Sequence, residues 1–309
     1  MTAGIVVEGL TKTYRRGKVR ALNGVSLEIR SGEAFGIIGP NGAGKTTLMG
    51  CVLGSLRPDG GRIAVEGLEP DDLAVRAATG YLPERLSFDR WMTGRDFLAH
   101  HHALARRPAG SRAAEVEATL ESVGLDRAAW TQALRLYSRG MLQRLGFAQA
   151  IIGRPRFLYL DEPTSGMDPV GVVMIRRIVD QLRHDGVTIV LNSHQLEQVE
   201  RFCDRVAYVR AGEVESVEVL SAGSAVRRAV RVRVAGDLPP AERLAELARE
   251  AGAEYLGAVA GRARFSVPND EAAVALVRVL VQAGIPVMEA SPEEGRLERL
   301  FFQAPGAES

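Results

Sequence analysis

The chain of 309 residues is long enough for a well-buried core, and its length suggests two domains. Hydrophobic residues make up 46% and charged residues 25%, while the formal net charge of +1 leaves no excess positive charge to attract nucleic acid. No apolar run reaches the roughly 18 residues needed to span a bilayer, and two cysteines argue against a disulfide framework, so the sequence predicts a cytosolic protein.

The first part of the chain predicts strands and a glycine-rich turn. Residues 4–14 and 24–29 alternate apolar and polar side chains, and residues 33–39 form a continuous apolar run that leads into the turn. Residues 46–56 have helical spacing. From about residue 85 to residue 135 the pattern is almost wholly helical, and we expect a helical insert (85–135) between β-containing halves.

The next part of the chain alternates strands and helices. Residues 156–163 (RFLYLDEP) and 187–194 (VTIVLNSH) are apolar runs of strand length, and a helical pattern separates them. This β-α-β order is typical of a parallel sheet that is buried on both faces and binds ligands at the carboxyl ends of its strands. Residues 204–217 predict a closing hairpin, and residues 221–224 a linker.

The remainder of the chain has a different order of elements. A strand, a helix, a hairpin, a second helix and a last strand follow one another, and β-α-β-β-α-β predicts a small ferredoxin-like α+β domain. We therefore expect a first domain at residues 1–220 and an accessory domain at residues 226–309. The tail ending in Leu300, Phe301 and Phe302 is expected to dock on a neighbour.

The stretch GPNGAGKTT has the form of a phosphate-binding loop. It follows an apolar strand and opens a helix, which is the context that the pattern G-x-x-x-x-G-K-[ST] requires. Its glycines let backbone N–H groups surround phosphate oxygens, its lysine faces the β- and γ-phosphates, and a threonine hydroxyl ligates Mg²⁺. The predicted ATP-binding residues of this loop are Gly39, Pro40, Asn41, Gly42, Ala43, Gly44, Lys45, Thr46 and Thr47.

Two adjacent acids end the apolar strand of residues 156–163. Successive strand residues point to opposite faces, but at a strand's end both can reach a site at the edge of the sheet. We expect Asp161, with Thr46, to hold Mg²⁺ and Glu162 to polarise the attacking water.

Over about residues 5–220 the chain resembles an ATP-binding cassette (ABC) ATPase, the nucleotide-binding subunit of a transporter. The stretch YSRGMLQRL resembles the family's signature motif, usually Leu-Ser-Gly-Gly-Gln. The resemblance implies a P-loop NTPase cassette with a mixed α/β sheet core, an antiparallel β part and a helical insert. It also implies that two cassettes sandwich two ATP molecules, so that Ser138, Arg139 and Gly140 contact the ATP of a partner copy.

Other family positions match one at a time. Tyr14 resembles the aromatic residue that stacks on adenine, although a strand-end tyrosine packed in the core remains an alternative. Asp168, in SGMDP, resembles the residue of the dimer loop that bridges subunits. His194, in NSH, resembles the histidine that contacts the γ-phosphate and orients the base.

Two positions depart from the commonest family pattern. Arg139 replaces the first glycine of the signature, where it either adds positive charge near the γ-phosphate or points to solvent. Glu84 stands where many cassettes have a glutamine that touches Mg²⁺, and we keep it as a further candidate metal ligand. The run His100, His101 and His102 predicts no metal site, because consecutive helix residues point about 100° apart.

The resemblance implies a subunit that hydrolyses ATP with Mg²⁺ as cofactor. It also implies that hydrolysis powers transport through separately encoded transmembrane permease subunits, and export is favoured over import. The expected partners are a second copy or a paired cassette, at the inner face of the cell membrane, and no nucleic acid. The alternatives are a soluble ABC ATPase acting on nucleic acid or ribosomes, and a regulatory switch. Repair cassettes carry a long coiled coil and translation cassettes carry two cassettes in one chain, and neither feature is in this sequence.

Overall fold

The computed structural model describes residues 3–14, 17–220, 228–259 and 261–292. The chain forms two compact units, Met1–Leu220 and Ser221–Ser309. Within the described ranges, none of the helices combines the length and the apolar character needed to cross a bilayer.

The first unit contains nine strands and seven helices among its described residues. In chain order they are β1 (Ala3–Tyr14), β2 (Val19–Arg30), β3 (Ala34–Ile38), α1 (Lys45–Val52), β4 (Gly60–Val65), α2 (Leu73–Ala77), β5 (Thr79–Leu82), α3 (Gly94–Leu104), α4 (Arg112–Ser122), α5 (Arg139–Ile151), β6 (Phe157–Asp161), α6 (Pro169–His184), β7 (Thr188–Asn192), α7 (Leu196–Phe202), β8 (Arg205–Arg210) and β9 (Glu213–Val219).

Two sheets build this unit. The larger has the order β5-β6-β7-β3-β8-β9, with parallel pairing from β5 to β8 and an antiparallel β9 at its edge. The smaller sheet is antiparallel, with the order β2-β1-β4. The predicted mixed sheet core, antiparallel β part and closing hairpin are therefore confirmed.

The three central strands position the site. Every residue of β3, β6 and β7 is buried, as expected for parallel strands covered on both faces. Because the strands are parallel, the segments that follow Ile38, Asp161 and Asn192 leave the sheet at the same edge. The phosphate loop, the acid pair and the NSH stretch are brought together in this way.

The helical insert is less regular than its periodicity predicts. Its first helix, α3, begins only at Gly94, because Thr93 caps it by accepting a hydrogen bond from the backbone N–H of Asp96 at 3.1 Å. Between α4 and α5 the chain makes two short 3₁₀ turns, at Arg127–Ala129 and Leu134–Leu136, in place of further α-helix.

The histidine run is explained by packing. His102 is fully buried, and its Nε2 lies 3.0 Å from Glu115 Oε2, while the His101 ring lies 4.5 Å from the Phe97 ring at a tilt of 53°. Glu115 also pairs with Arg107 at 2.8 Å, and this arginine chiefly lowers the pKa of the Glu115 carboxyl to about 2. In the part of the chain that the structure describes, no group of three or more His, Cys, Asp or Glu side chains could hold a metal ion.

The second unit has the ferredoxin-like arrangement. Its elements are β10 (Arg228–Val234), α8 (Ala241–Glu250), β11 (Glu254–Val259), β12 (Arg262–Val267), α9 (Asp270–Gln282) and β13 (Val287–Pro292). The four strands form an antiparallel sheet in the order β11-β12-β10-β13. The predicted element order is confirmed, while the predicted linker at residues 221–224 and the tail at Leu300, Phe301 and Phe302 lie outside the described residues.

Phe265 lies in the hydrophobic core of the second unit. Phe265 is completely buried and its ring lies 5.4 Å from that of Tyr255. Phe265→Ala should lower the free energy of unfolding by about 3–5 kcal/mol, because it removes a large side chain and leaves a cavity. The measurement is denaturant unfolding followed by circular dichroism.

Met288→Ala is the matched control, since Met288 in β13 is 60% exposed. It should change the free energy of unfolding by less than about 0.5 kcal/mol. Equal effects of the two substitutions would contradict the assignment of the core.

Candidate functional site

Two glycines of the phosphate loop are required by close backbone approach. Gly39 has φ 153°, and a Cβ atom there would lie 2.0 Å from the carbonyl oxygen of Val209. Gly44 has φ 103°, and its Cβ would lie 2.3 Å from the carbonyl oxygen of Ala21. A side chain at either position would collide with backbone, so the loop is fitted between β8 and β2.

The side chain of Lys45 is buried inside this loop. Its Nζ donates to the carbonyl oxygens of Gly39 at 2.8 Å and Pro40 at 2.9 Å, and these take two of its three donors. Burial lowers the pKa of the Lys45 ammonium, and the carboxylates of Glu162 and Asp161 act in the opposite direction. Burial removes the water that would solvate the ammonium, and a phosphate group would stabilise its positive charge instead.

The outer part of the loop is open to a ligand. Asn41, Gly42 and Thr46 are exposed, and Gly42 has φ 79°, with open space for 4 Å around the position that a Cβ would take. Gly44, the N-cap residue of α1, has no side chain that could cap the helix, so the first N–H groups of α1 are left for an anion. The loop therefore fits the phosphates of a nucleotide.

The register of β6 against β7 aligns the acid pair. Asp161 lies opposite Asn192, whose Nδ2 donates to Asp161 Oδ1 at 2.7 Å. The next residue, Glu162, has φ 50°, a left-handed conformation that side-chain-bearing residues rarely adopt. This bend follows the last residue of β6 and lets the Glu162 carboxylate reach the residues that follow β7.

Residues that follow β7 hold the Glu162 carboxylate. Oε1 accepts a hydrogen bond from the backbone N–H of His194 at 2.8 Å and lies 2.6 Å from its Nδ1. Oε2 accepts from the hydroxyl of Ser193 at 3.0 Å. Since an ionised carboxylate only accepts, Nδ1 carries the proton in this arrangement, and Nε2 of the exposed imidazole is left to face a ligand.

The surroundings of Asp161 suit a divalent cation. Burial chiefly raises the pKa of this carboxyl, the bond from Asn192 lowers it, and the negative charges of Glu84 and Glu162 raise it further. A cation would relieve this repulsion. Carboxylate and hydroxyl oxygens of Asp161 and Thr46, together with phosphate oxygens, are the ligands that Mg²⁺ prefers. Glu84 is exposed and acts on Asp161 through its charge.

The signature residues lie at the N-terminus of α5, where Ser138 and Arg139 are exposed and Gly140 is half-buried. Ser138 caps α5 by accepting from the backbone N–H of Met141 at 3.2 Å. A Cβ at Gly140 would make only an ordinary 3.5 Å contact, with the carbonyl oxygen of Gly166. The chain itself therefore does not require glycine at position 140, which is consistent with close approach by another molecule there.

The structure gives Arg139 and Asp168 partners within their own chain. Arg139 Nη2 donates to Ser165 Oγ at 3.0 Å. Asp168 caps α6 by accepting from the backbone N–H of Gly171 at 3.0 Å, and it also accepts from Arg144 Nη2 at 3.1 Å. These bonds, the Gly171 bond first, lower the pKa of the Asp168 carboxyl.

Tyr14 lies at the end of β1, half-buried, with Lys12 Nζ 5.9 Å from its ring centroid. The register of β1 on β2 pairs Lys12 with Leu22 and Thr13 with Arg20, so this hairpin end also carries Ala21, which packs on the phosphate loop. Tyr14 therefore lies at the same hairpin end as the residue that contacts the phosphate loop.

Three residues hydrogen-bond the acid pair or its backbone, and the sequence patterns did not single them out. Asn192 and Ser193 stand directly before His194 and bond the two carboxylates. Gln143 of α5 is buried, and its Nε2 donates to the carbonyl oxygens of Glu162 at 3.2 Å and Pro163 at 3.1 Å. The polar NS pair at the end of an apolar strand was the available signal for the first two.

Comparison with known proteins assigns the chain to a family. The family model described as ABC transporter matches residues 22–165. An uncharacterized ABC transporter ATP-binding protein of Nostoc sp. is 42% identical over 216 residues, which cover 68% of this chain and 64% of that protein. The match therefore spans less than two thirds of the Nostoc relative.

A second relative matches over nearly its whole length. The daunorubicin resistance ATP-binding protein DrrA3 of Streptomyces coeruleorubidus is 33% identical over 322 residues, with 98% of this chain and 96% of that protein covered. Among solved structures, the dimeric post-hydrolysis state of the ATP-binding cassette MJ0796 with ADP and Pi is similar, with a TM-score of 0.65 and 25% identity over 70% of this chain and 98% of that one. Together with the loop, the acid pair and the signature helix, these matches show that the chain belongs to the family of ABC transporter ATP-binding proteins.

Proposed function

We propose that the chain binds and hydrolyses ATP as the ATP-binding subunit of a transporter. The observation that carries this proposal is the Glu162 carboxylate, held by Ser193 and His194 at the same sheet edge as the buried Lys45. A fixed carboxylate beside a phosphate-binding loop is the arrangement that activates water for attack on a phosphoryl group.

Each residue has a defined task in this reaction. Lys45 and the N–H groups of α1 bind the β- and γ-phosphates, and Glu162 accepts a proton from the attacking water. His194 keeps the carboxylate in place through Nδ1 and offers Nε2 to the γ-phosphate. Thr46 and Asp161 would hold Mg²⁺, which neutralises the charge on the phosphate oxygens when it is bound.

The signature supports a dimer of cassettes. Exposed Ser138 and half-buried Gly140 lie at the N-terminus of α5, a site for anions, while the phosphate loop of the same chain leads into a different helix, α1. In the proposed dimer Ser138 and Gly140 meet the ATP held by the other copy, and Asp168 lies in the loop that faces it. The similar MJ0796 cassette was solved as a dimer, which supports this arrangement.

The transport role is inferred from the family, and an outward direction is part of the proposal. A relative named for daunorubicin resistance supports outward movement. The proposed partners are separate transmembrane permease subunits, which would place the chain at the inner face of the membrane. Closure of two cassettes around ATP would move the helical insert and so act on the permease.

The general base gives a direct test. Glu162→Gln should lower the ATP hydrolysis rate by roughly 10²- to 10⁴-fold, the usual contribution of a positioned base, and should leave ATP affinity nearly unchanged. Phosphate release and fluorescent-nucleotide binding measure the two quantities. Glu121→Gln is the control, since Glu121 is an exposed glutamate of α4. A wild-type rate in the Glu162 variant would show that the base is assigned wrongly.

The phosphate loop gives a separate test. Lys45→Ala should weaken ATP binding roughly 10- to 100-fold, because a hydrogen bond to a charged group contributes about 1.5–3 kcal/mol. Isothermal titration calorimetry measures the affinity. Arg177→Ala removes an exposed positive charge from α6 and should leave the affinity unchanged. Equal affinities of wild type and the Lys45 variant would overturn the role of the loop.

A further inference from the structure

The arginine of the signature is packed against a glycine of its own chain. Arg139 Nη2 donates to Ser165 Oγ at 3.0 Å. A Cβ at Gly166 would lie 2.6 Å from Arg139 Nε, 2.8 Å from Cδ and 3.0 Å from Cγ. The arginine stem therefore occupies space that exists only because residue 166 is glycine, which also has φ 75°.

Two more residues of α5 hold the same segment, residues 162–168. Gln143, one turn after Arg139, donates to the carbonyl oxygens of Glu162 and Pro163. Arg144 donates to Asp168 Oδ1 at 3.1 Å and to the carbonyl oxygen of Gly124 at 2.8 Å. Helix α5 thus contacts segment 162–168 at its beginning, its middle and its end.

The segment needs such support because its backbone is unusual. Glu162 and Gly166 both have positive φ, at 50° and 75°, and a non-glycine residue in that region is held there only by its surroundings. Within the segment, the backbone N–H of Ser165 donates to the carbonyl oxygen of Glu162 at 3.1 Å. A displacement of Ser165 is therefore passed directly to the residue that carries the base.

We propose that Arg139 is a positioning residue that fixes segment 162–168, and through it Glu162, to the signature turn of the same chain. This inference rests on the proposed function. Because Ser138 and Gly140 flank Arg139 and face the ATP of the other copy, closure on that ATP sets the position of the base in this copy's own site. The guanidinium is engaged with Ser165 and does not serve as a phosphate ligand for the partner's ATP.

Mixed dimers show whether Arg139 acts on Glu162 of its own copy or on the ATP bound by the other copy. Two differently tagged copies are purified as one dimer, and one copy carries Glu162→Gln, which silences the site built on its own phosphate loop. Hydrolysis then comes from the site of the copy with intact Glu162, and the silenced copy supplies the signature to that site. Arg139→Ala is placed on one copy or on the other.

With Arg139→Ala on the copy that carries intact Glu162, kcat should fall about tenfold, less than the roughly 100-fold that an ångström of misplacement costs. The KM for ATP should stay within about twofold, because nucleotide binding is not affected. With Arg139→Ala on the silenced copy, the rate should equal that of the dimer without the substitution. Arg177→Ala on either copy is the matched control for loss of an exposed arginine.

A lower hydrolysis rate only when Arg139→Ala is on the silenced copy would overturn the inference, since the guanidinium would then act on the ATP bound by the other copy. Unchanged rates in both arrangements, or equal losses in both, would overturn it as well. Ser165→Ala on the copy with intact Glu162 should reproduce the loss, and the double substitution with Arg139→Ala should lower kcat no further. Additive losses would show that the two side chains do not act as a pair.

Hydrogen exchange in the absence of nucleotide tests the role of Arg139 separately from ATP hydrolysis. Arg139→Ala should increase hydrogen exchange of the backbone amides in segment 162–168 of the full chain, while peptides of the second unit stay unchanged. Unaltered exchange in the segment would show that Arg139 does not fix it to the signature turn, whether or not the protein hydrolyses ATP. Absence of hydrolysis in the wild-type protein, with increased exchange in the variant, would instead contradict the proposed function.

Discussion

The Glu162 carboxylate and its bonds to the end of β7 are the interaction on which the site depends. Those bonds exist because β6 and β7 are parallel and paired so that Asp161 lies opposite Asn192. The backbone N–H of Glu162 donates to the carbonyl oxygen of Asn192 at 2.9 Å, which anchors the left-handed bend. A shift of one residue in this register would turn Ser193 and His194 away from the carboxylate.

Burial explains why these charges are found together. Lys45, Asp161 and Glu162 are all buried, and buried charges require partners. The lysine is held by loop carbonyls and the carboxylates by hydrogen-bond donors from β7 and the residues after it. In the proposed function, the phosphates of ATP and a divalent cation would balance the charges of Lys45, Asp161 and Glu162.

Local patterns in the sequence predicted much of the fold and part of the site. The phosphate loop, the acid pair and the β-α-β-β-α-β order of the second unit follow from short-range spacing. Gln143 could not be found in this way, because the carbonyl groups that it binds are 19 and 20 residues distant and are brought to it by packing. The NS pair marks Ser193 as polar, but its bond to Glu162, 31 residues away, depends on the register of β6 and β7. For Arg139 the sequence left two alternatives, and its contact with Ser165 and Gly166 requires the fold.

In the proposed dimer, two copies of the chain enclose two ATP molecules, each between the loop around Lys45 of one copy and the turn at Ser138 of the other. Native mass spectrometry of the Glu162→Gln variant with ATP and Mg²⁺ tests it most directly, since slow hydrolysis preserves the nucleotide. We expect a dimer that carries two ATP molecules. Monomers that each carry one ATP, with no dimer at any ATP concentration, would contradict it.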